Sequence, residues 1–184
     1  MKLNHEKLRS LAQEANVTAE SLADALPKDT GRRKERERAL TCVQGWLAGK
    51  NRPAPTRAEI EAMASVLGVQ PSELSRFVSV SRWQRSSPRK ARLLTDLIKG
   101  RPVDEAMNIL RFNPKRAAVM VNKALKAAVA DAETNDAAVE RLVVAESRVD
   151  EGVIIKRFQP KDRGRAHPIQ KKTSHIIVGV EERD

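Results

Sequence analysis

Tyrosine is missing from this chain of 184 residues, and its only aromatics are Trp46, Phe77, Trp83, Phe112 and Phe158. A sheet that reads single-stranded RNA by stacking needs two or three exposed rings side by side, so rings this few argue against a recognition motif of that type. Cysteine occurs once, as Cys42, which excludes an internal disulfide and fits a reducing cytosol. It reads as a small buried apolar side chain. His5, His167 and His175 have no ligand spacing with Cys42, so no metal and no cofactor are expected. No phosphate-cradling glycine loop or nucleophile elbow occurs, and Asp150-Glu151 reads as a turn before Gly152, so catalysis is not expected either. Long apolar runs are lacking, which leaves no membrane-spanning helix, and Met1-Lys2-Leu3-Asn4-His5-Glu6 has no signal-peptide core.

Carboxylates are in short supply. Against 24 Asp and Glu stand 35 Lys and Arg, a formal charge of +11. Such an excess predicts a polyanionic partner and binding that weakens with salt. With an apolar share of 40%, modest cores are within reach, so a folded, soluble, cytosolic binder of nucleic acid is expected. The charge is unevenly spread. Residues 1–81 carry a net +3, residues 82–116 a net +7, residues 117–151 a net −3 and residues 152–184 a net +4. Two basic segments thus flank one that leans acidic, the pattern of two RNA-facing elements around a packing core.

Up to about residue 76 the chain reads as short helices. Leu3, Leu8, Leu11, Ala12 and Ala15 share one face; Thr18 caps a second helix that Pro27 stops. A polar run follows from Lys28 to Arg38, and its part from Arg32 to Arg38 alternates in sign, as an exposed helix or loop does. A third helix leads to Trp46-Leu47, with Trp46 as a core anchor. Thr56 caps a fourth that Gly68 ends, and Pro71 with Glu73 opens a short fifth. The strings Leu22-Ala23-x-Ala25-Leu26, Trp46-x-x-Gly49-Lys50-x-x-Pro53 and Ile60-x-x-Met63-Ala64-x-x-Leu67-Gly68 resemble the five-helix Cro/repressor helix-turn-helix family. The nineteen residues between Leu26 and Trp46 depart from its tight turn and imply an insertion or an elongated third helix.

After Phe77 the pattern changes. Phe77 to Arg85 alternates as a strand; Ser87 then caps a helix with Pro88 in its first turn, Ala91, Leu94, Leu97 and Ile98 inward, and Gly100 at the stop. A short helix covers Val103–Leu110. A long one runs from Asn113-Pro114 to about Glu133 with Ala117, Val121, Leu125, Ala128 and Ala132 buried. Strands follow at Leu142–Val149 and beyond Gly152. The last two, Val153–Pro160 and Ile169–Val178, make a hairpin over about 152–178 around Lys161-Asp162-Arg163-Gly164-Arg165-Ala166-His167-Pro168. Each arm could span roughly 30–40 Å at about 3.3 Å per residue. Its tip half has too little apolar surface for a core of its own, which makes sense for an arm embedded among phosphates.

Here a second resemblance is close. Ser86-Ser87-Pro88-Arg89-Lys90-Ala91-Arg92, Ile98-Lys99-Gly100-Arg101, Lys115-x-Ala117-Ala118, Asn122-Lys123-x-Leu125, Val149-Asp150-Glu151-Gly152, Arg163-Gly164-Arg165-Ala166 and Lys172-Thr173-Ser174-His175-Ile176 occur in order. Over about 77–182 the chain resembles the large ribosomal subunit protein L-twenty-two family. The resemblance implies an α+β fold, a small domain of three helices and an antiparallel sheet with a long protruding β-hairpin. Residues 77–184 would form this rRNA-binding domain and residues 1–76 an all-α, helix-turn-helix-like extension. It further implies large-subunit rRNA, neighbouring large-subunit proteins and the nascent peptide as partners, the tip from Lys161 to Pro168 helping to line the peptide exit tunnel. Changes at the tip would alter macrolide susceptibility, and the location would be the cytoplasmic ribosome.

The residues expected to meet rRNA are Arg82, Arg85, Ser87, Arg89, Lys90, Arg92, Lys99, Arg101, Lys115, Arg116, Lys123, Lys156, Arg157, Lys161, Arg163, Gly164, Arg165, Lys171, Lys172, Thr173, Ser174 and His175. On the hairpin only Asp162 counters the cations. Arg89, Lys90 and Arg92 stand at a helix start, where cations oppose the dipole and an anionic partner explains them better. Trp83, between Arg82 and Arg85, is open to either a packed ring or a nucleotide contact. The alternative reading is a DNA-binding regulator acting through residues 1–75, which would bind as a dimer to spaced half-sites.

Overall fold

The computed structural model describes residues 1–27 and 33–183. In chain order the elements are β1 (Lys2–Leu3), α1 (His5–Glu14), α2 (Ala19–Ala25), α3 (Arg33–Leu47), α4 (Arg57–Leu67), β2 (Ser75–Gln84), α5 (Pro88–Ile98), α6 (Val103–Phe112), α7 (Arg116–Glu133), β3 (Leu142–Glu151), β4 (Ile155–Pro160), β5 (Ala166–Lys171) and β6 (Ser174–Glu182). This is an α+β fold, as expected. β1, β2, β6 and β3 form one antiparallel sheet in that order, and β4 with β5 form a separate two-stranded ribbon. No helix among the described residues is long and apolar enough to cross a membrane.

Local chemistry explains the helix ends. Asn4 caps α1 by accepting from the Lys7 amide, and Thr18 caps α2 through the Ser21 amide. At α4, Thr56 and Glu59 form a reciprocal capping box, and Gly68 ends the helix at a left-handed φ of 68°. Two apolar clusters result. One gathers Leu3, Leu8, Leu22, Leu26, Val43, Trp46, Ile60, Met63 and Leu74. Trp46 is its anchor, 1% exposed, with its indole N–H on the Pro53 carbonyl at 2.7 Å. The other joins the sheet face of Phe77, Val144, Ile176, Val178 and Val180 to Leu94 and Ile98 of α5, Leu110 of α6, and Val121, Leu125 and Ala128 of α7.

A short polar seam joins the two clusters. β1 pairs with the start of β2, Lys2 opposite Arg76 and Leu3 opposite Ser75, and the Asn4 amide donates to the Leu74 carbonyl at 2.8 Å. The Asn4 side-chain amide then donates to buried Glu181 at 3.0 Å, while the Arg76 guanidinium donates to the same carboxylate oxygen at 2.8 Å. A carboxylate taken out of water is stable only when its lone pairs are answered, and here two donors from different elements answer it.

Four expectations need correction. Pro71 to Leu74 forms turns rather than a fifth helix, because the chain enters β2 at Ser75 after too few residues for a helical turn to propagate. Leu97 is 41% exposed; the buried stripe of α5 is Ala91, Leu94, Thr95 and Ile98. Asp150 and Glu151 are strand residues, opposite His175 and Ser174, not a turn. The hairpin is shorter than expected. Ser174 to Val178 belong to β6, the central strand, hydrogen-bonded to β2 on one side and β3 on the other. Six residues per arm remain, about 20 Å at roughly 3.3 Å per residue. The elongated third helix did materialise, as α3. The first five residues of the polar run, 28–32, lie outside the described residues.

At the root of the ribbon, Gly152 lets two segments touch. Its amide donates to the Thr173 carbonyl at 3.0 Å, and a Cβ there would meet Thr173 Oγ1 at 2.5 Å. The close approach hands the chain from β3 into β4.

Candidate nucleic-acid interface

The basic surface has two parts, a cleft and an arm. The cleft forms where the β2–α5 connection, the start of α7 and the end of β5 converge. Arg85, Ser86, Ser87, Lys90, Arg116, Gln170, Lys171 and Lys172 line a hollow of about 650 Å³. It continues past Leu93, Lys115 and Ala117. Among the described residues no carboxylate lines either stretch. Five of its cations, Arg85, Lys90, Arg116, Lys171 and Lys172, come from three segments far apart in sequence, so their like charges are held together by the fold against mutual repulsion. An anion in the hollow would relieve that repulsion.

Ser87 occupies the N-cap position of α5, yet its hydroxyl makes no capping bond. Its side chain therefore stands in the cleft at a helix start, where unsatisfied amides favour negative charge. Ser86 and Gln170, which line the same hollow, were not among the expected contacts. Nothing in the sequence marks them except adjacency to basic residues.

The arm is the β4–β5 ribbon. Six residue pairs run from Ile155 opposite Lys171 to Pro160 opposite Ala166. At its tip Arg163 and Gly164 both take left-handed φ, 55° and 72°, and the Lys161 amide closes the turn on the Arg165 carbonyl at 2.6 Å. Lys156, Arg157, Lys161, Arg163, Arg165, Lys171 and Lys172 are all exposed, and none has a carboxylate partner among the described residues. Phe158, paired with Pro168, is 79% exposed. A ribbon with its ring outward has no interior of its own, and among the described strands β4 and β5 pair only with each other.

Other expected residues scatter. Arg89, Lys99 and Lys123 are exposed on their helices or at a helix end, and Arg82 is exposed near the end of β2. Arg101 is held by the Leu97 carbonyl and Glu105, and Arg92 lies toward the Val149 carbonyl and Glu151. Thr173 and Ser174 do not reach the surface. Thr173 is 5% exposed and donates to the Val153 carbonyl at 2.6 Å, and Ser174 is fully buried in β6. Strand pairing draws them in despite the lysines beside them. His175 is half-buried, and its Nδ1 accepts from the Trp83 amide at 3.2 Å. Among the described residues no group of His, Cys, Asp and Glu could hold a metal ion.

Cations gathered in one cleft beside a basic ribbon without a core of its own are the surface chemistry of a protein that binds a polyanion such as folded nucleic acid. Residues 79–181 match the family described as Ribosomal protein L22p/L17e. The chain is also similar to the large ribosomal subunit protein uL22 of Lactobacillus gasseri and that of Lactobacillus johnsonii. Each is 46% identical over 113 residues, a stretch covering 61% of this chain and 97% of the relative. The chain belongs to the ribosomal protein L22p/L17e family and is a structural constituent of the large ribosomal subunit. The family is not one of enzymes. Residues 1–78 lie outside the family match.

Proposed function

We propose that this protein holds large-subunit rRNA in place through the cleft around Ser87 and the β4–β5 arm. The arm inserts between RNA segments, and its tip, Lys161 to Pro168, reaches the wall of the nascent-peptide tunnel. The observation carrying this reading is the row of exposed arm cations with no carboxylate partner among the described residues. Each neutralised phosphate releases condensed counterions, so much of the affinity is entropic and falls with salt. The globular domain of residues 77–184 supplies the fixed base. The extension, residues 1–76, travels with it as a packing module on the subunit surface, a reading supported by the Asn4–Glu181–Arg76 seam.

Sedimentation tests the reading. In a sucrose gradient of native lysate at moderate salt, the full chain is expected to run stoichiometrically with large subunits, and high-salt washing is expected to release it. A chain that remains among free proteins at the top of the gradient overturns the assignment.

A further inference from the structure

We infer that Trp83 is a stacking platform for one unpaired nucleobase of the bound rRNA. The inference rests on the proposed rRNA binding and adds to it a base contact, where the cleft and arm contact phosphate.

Three observations carry it. Trp83 is 58% exposed, unlike Trp46 at 1%, so it is not part of either core. Second, its exposed ring is held still. It lies at a bulge where the β2–β6 register shifts between Ser81 and Gln84, and its φ is +58°, a conformation a bulky residue adopts only under constraint. The main-chain amide is tied to His175 Nδ1, and Gln84 Nε2 braces the bulge by donating to Ser81 Oγ at 2.8 Å. The ring packs edge-to-face with His175, centroids 4.6 Å apart at 76°. An indole fixed by backbone and by a second ring loses little freedom when something stacks on it. Strain concentrated at an exposed aromatic points to a ligand.

Third, the charge around it fits a nucleotide. Arg82 and Arg85 flank it and are exposed, and Arg85 also lines the cleft with Lys171 and Lys172. An RNA strand whose phosphates pass through that cleft leaves the indole two residues from Arg85, placed to take a base. Stacking needs only a π-face, so the contact tolerates any base.

Titration of the full chain with deproteinised large-subunit rRNA tests this. The protein has two tryptophans, so the difference in emission between wild type and Trp83→Phe isolates Trp83. Wild-type emission is expected to be quenched as rRNA binds, and the Trp83→Phe variant is expected to lose that quenching while binding within a few-fold. Trp83→Ala is expected to bind roughly 10-fold more weakly with an unchanged salt slope, because a stacking contact and no phosphate contact is lost. If wild type binds rRNA without quenching of Trp83, or Trp83→Ala binds as tightly as wild type, the stacking role is refuted and the rRNA reading stands. If wild type does not bind rRNA, the rRNA reading fails and takes this inference with it.

Discussion

Replacing Lys156, Arg157, Arg163 and Arg165 together by alanine is expected to lower affinity for large-subunit rRNA by about two to three orders of magnitude near 0.1 M salt. The estimate follows from counterion release. Each phosphate contact adds about 0.7–0.9 to the slope of log K against log salt, so four lost contacts flatten it by about three units. All four side chains are exposed on the ribbon, and the ribbon shares no residue with either apolar cluster. The globular part should therefore melt as before, and the loss can be ascribed to binding. Arg148 supplies the control. It is exposed too, yet it pairs with Glu146 at 2.7 Å and Asp150 at 3.1 Å, so its charge is already answered. Arg148→Ala is expected to leave the slope almost unchanged. Filter binding over a range of salt reads both outcomes, and equal slopes for wild type and the fourfold variant would remove the arm from the binding surface.

Trp46→Ala is expected to unfold most of residues 1–74 and to leave rRNA binding intact. Truncating a buried Trp or Phe costs about 3–5 kcal/mol, comparable to the whole stability of a small unit. Trp46→Ala loses more than packing, because the indole N–H is bonded to the Pro53 carbonyl at 2.7 Å and alanine has no donor to replace it. None of its cluster belongs to the cluster around Phe77, Leu125 and Ile176. Across the seam the described residues show the two-residue β1, the Asn4 amide on Leu74, the bonds at Glu181 and the Lys7 ammonium on the Glu182 carbonyl at 3.2 Å, short polar contacts that are too little to drag the sheet down. Hydrogen exchange read by mass spectrometry should show amide protection lost in α1 to α4 and kept in β2, β6, β3 and α7. Loss of protection throughout would mean that the chain is one cooperative unit and that the proposed division at residue 76 is wrong.

Much of the second half was legible because its signals are local. Ala117, Val121, Leu125, Ala128 and Ala132 recur at helical spacing, and all five are buried in α7. Gly100 marked the end of α5 and has a φ of +77°. Misreadings arose where partners distant in sequence decide the outcome. The apolar run Ile176-Ile177-Val178 reads equally well as a hairpin arm or as a central strand, since periodicity does not say how many neighbours a strand has. Its two partners moved the hairpin boundary back to Lys172 and drew Thr173 and Ser174 out of the expected interface. β1 is two residues long, below any periodic signal, and exists because Leu3 and Asn4 meet Leu74 and Ser75. The cleft is the clearest case. Arg85, Lys90, Arg116 and Lys171 were each expected to meet RNA, yet nothing in their spacing says that they share one hollow.

On the proposed embedding of the arm in rRNA, spare and installed copies are expected to meet different fates. Before RNA surrounds it, the β4–β5 arm is an opening-prone strand pair studded with the side chains trypsin-like proteases cleave after, while the rest of that half is closed around Leu125. Limited trypsin digestion of the free chain should therefore cut first between Lys156 and Lys172, and the same treatment of intact subunits should leave those bonds whole. A cell that makes this protein in excess of its RNA would thus clear the surplus through the very element that marks a copy as unplaced.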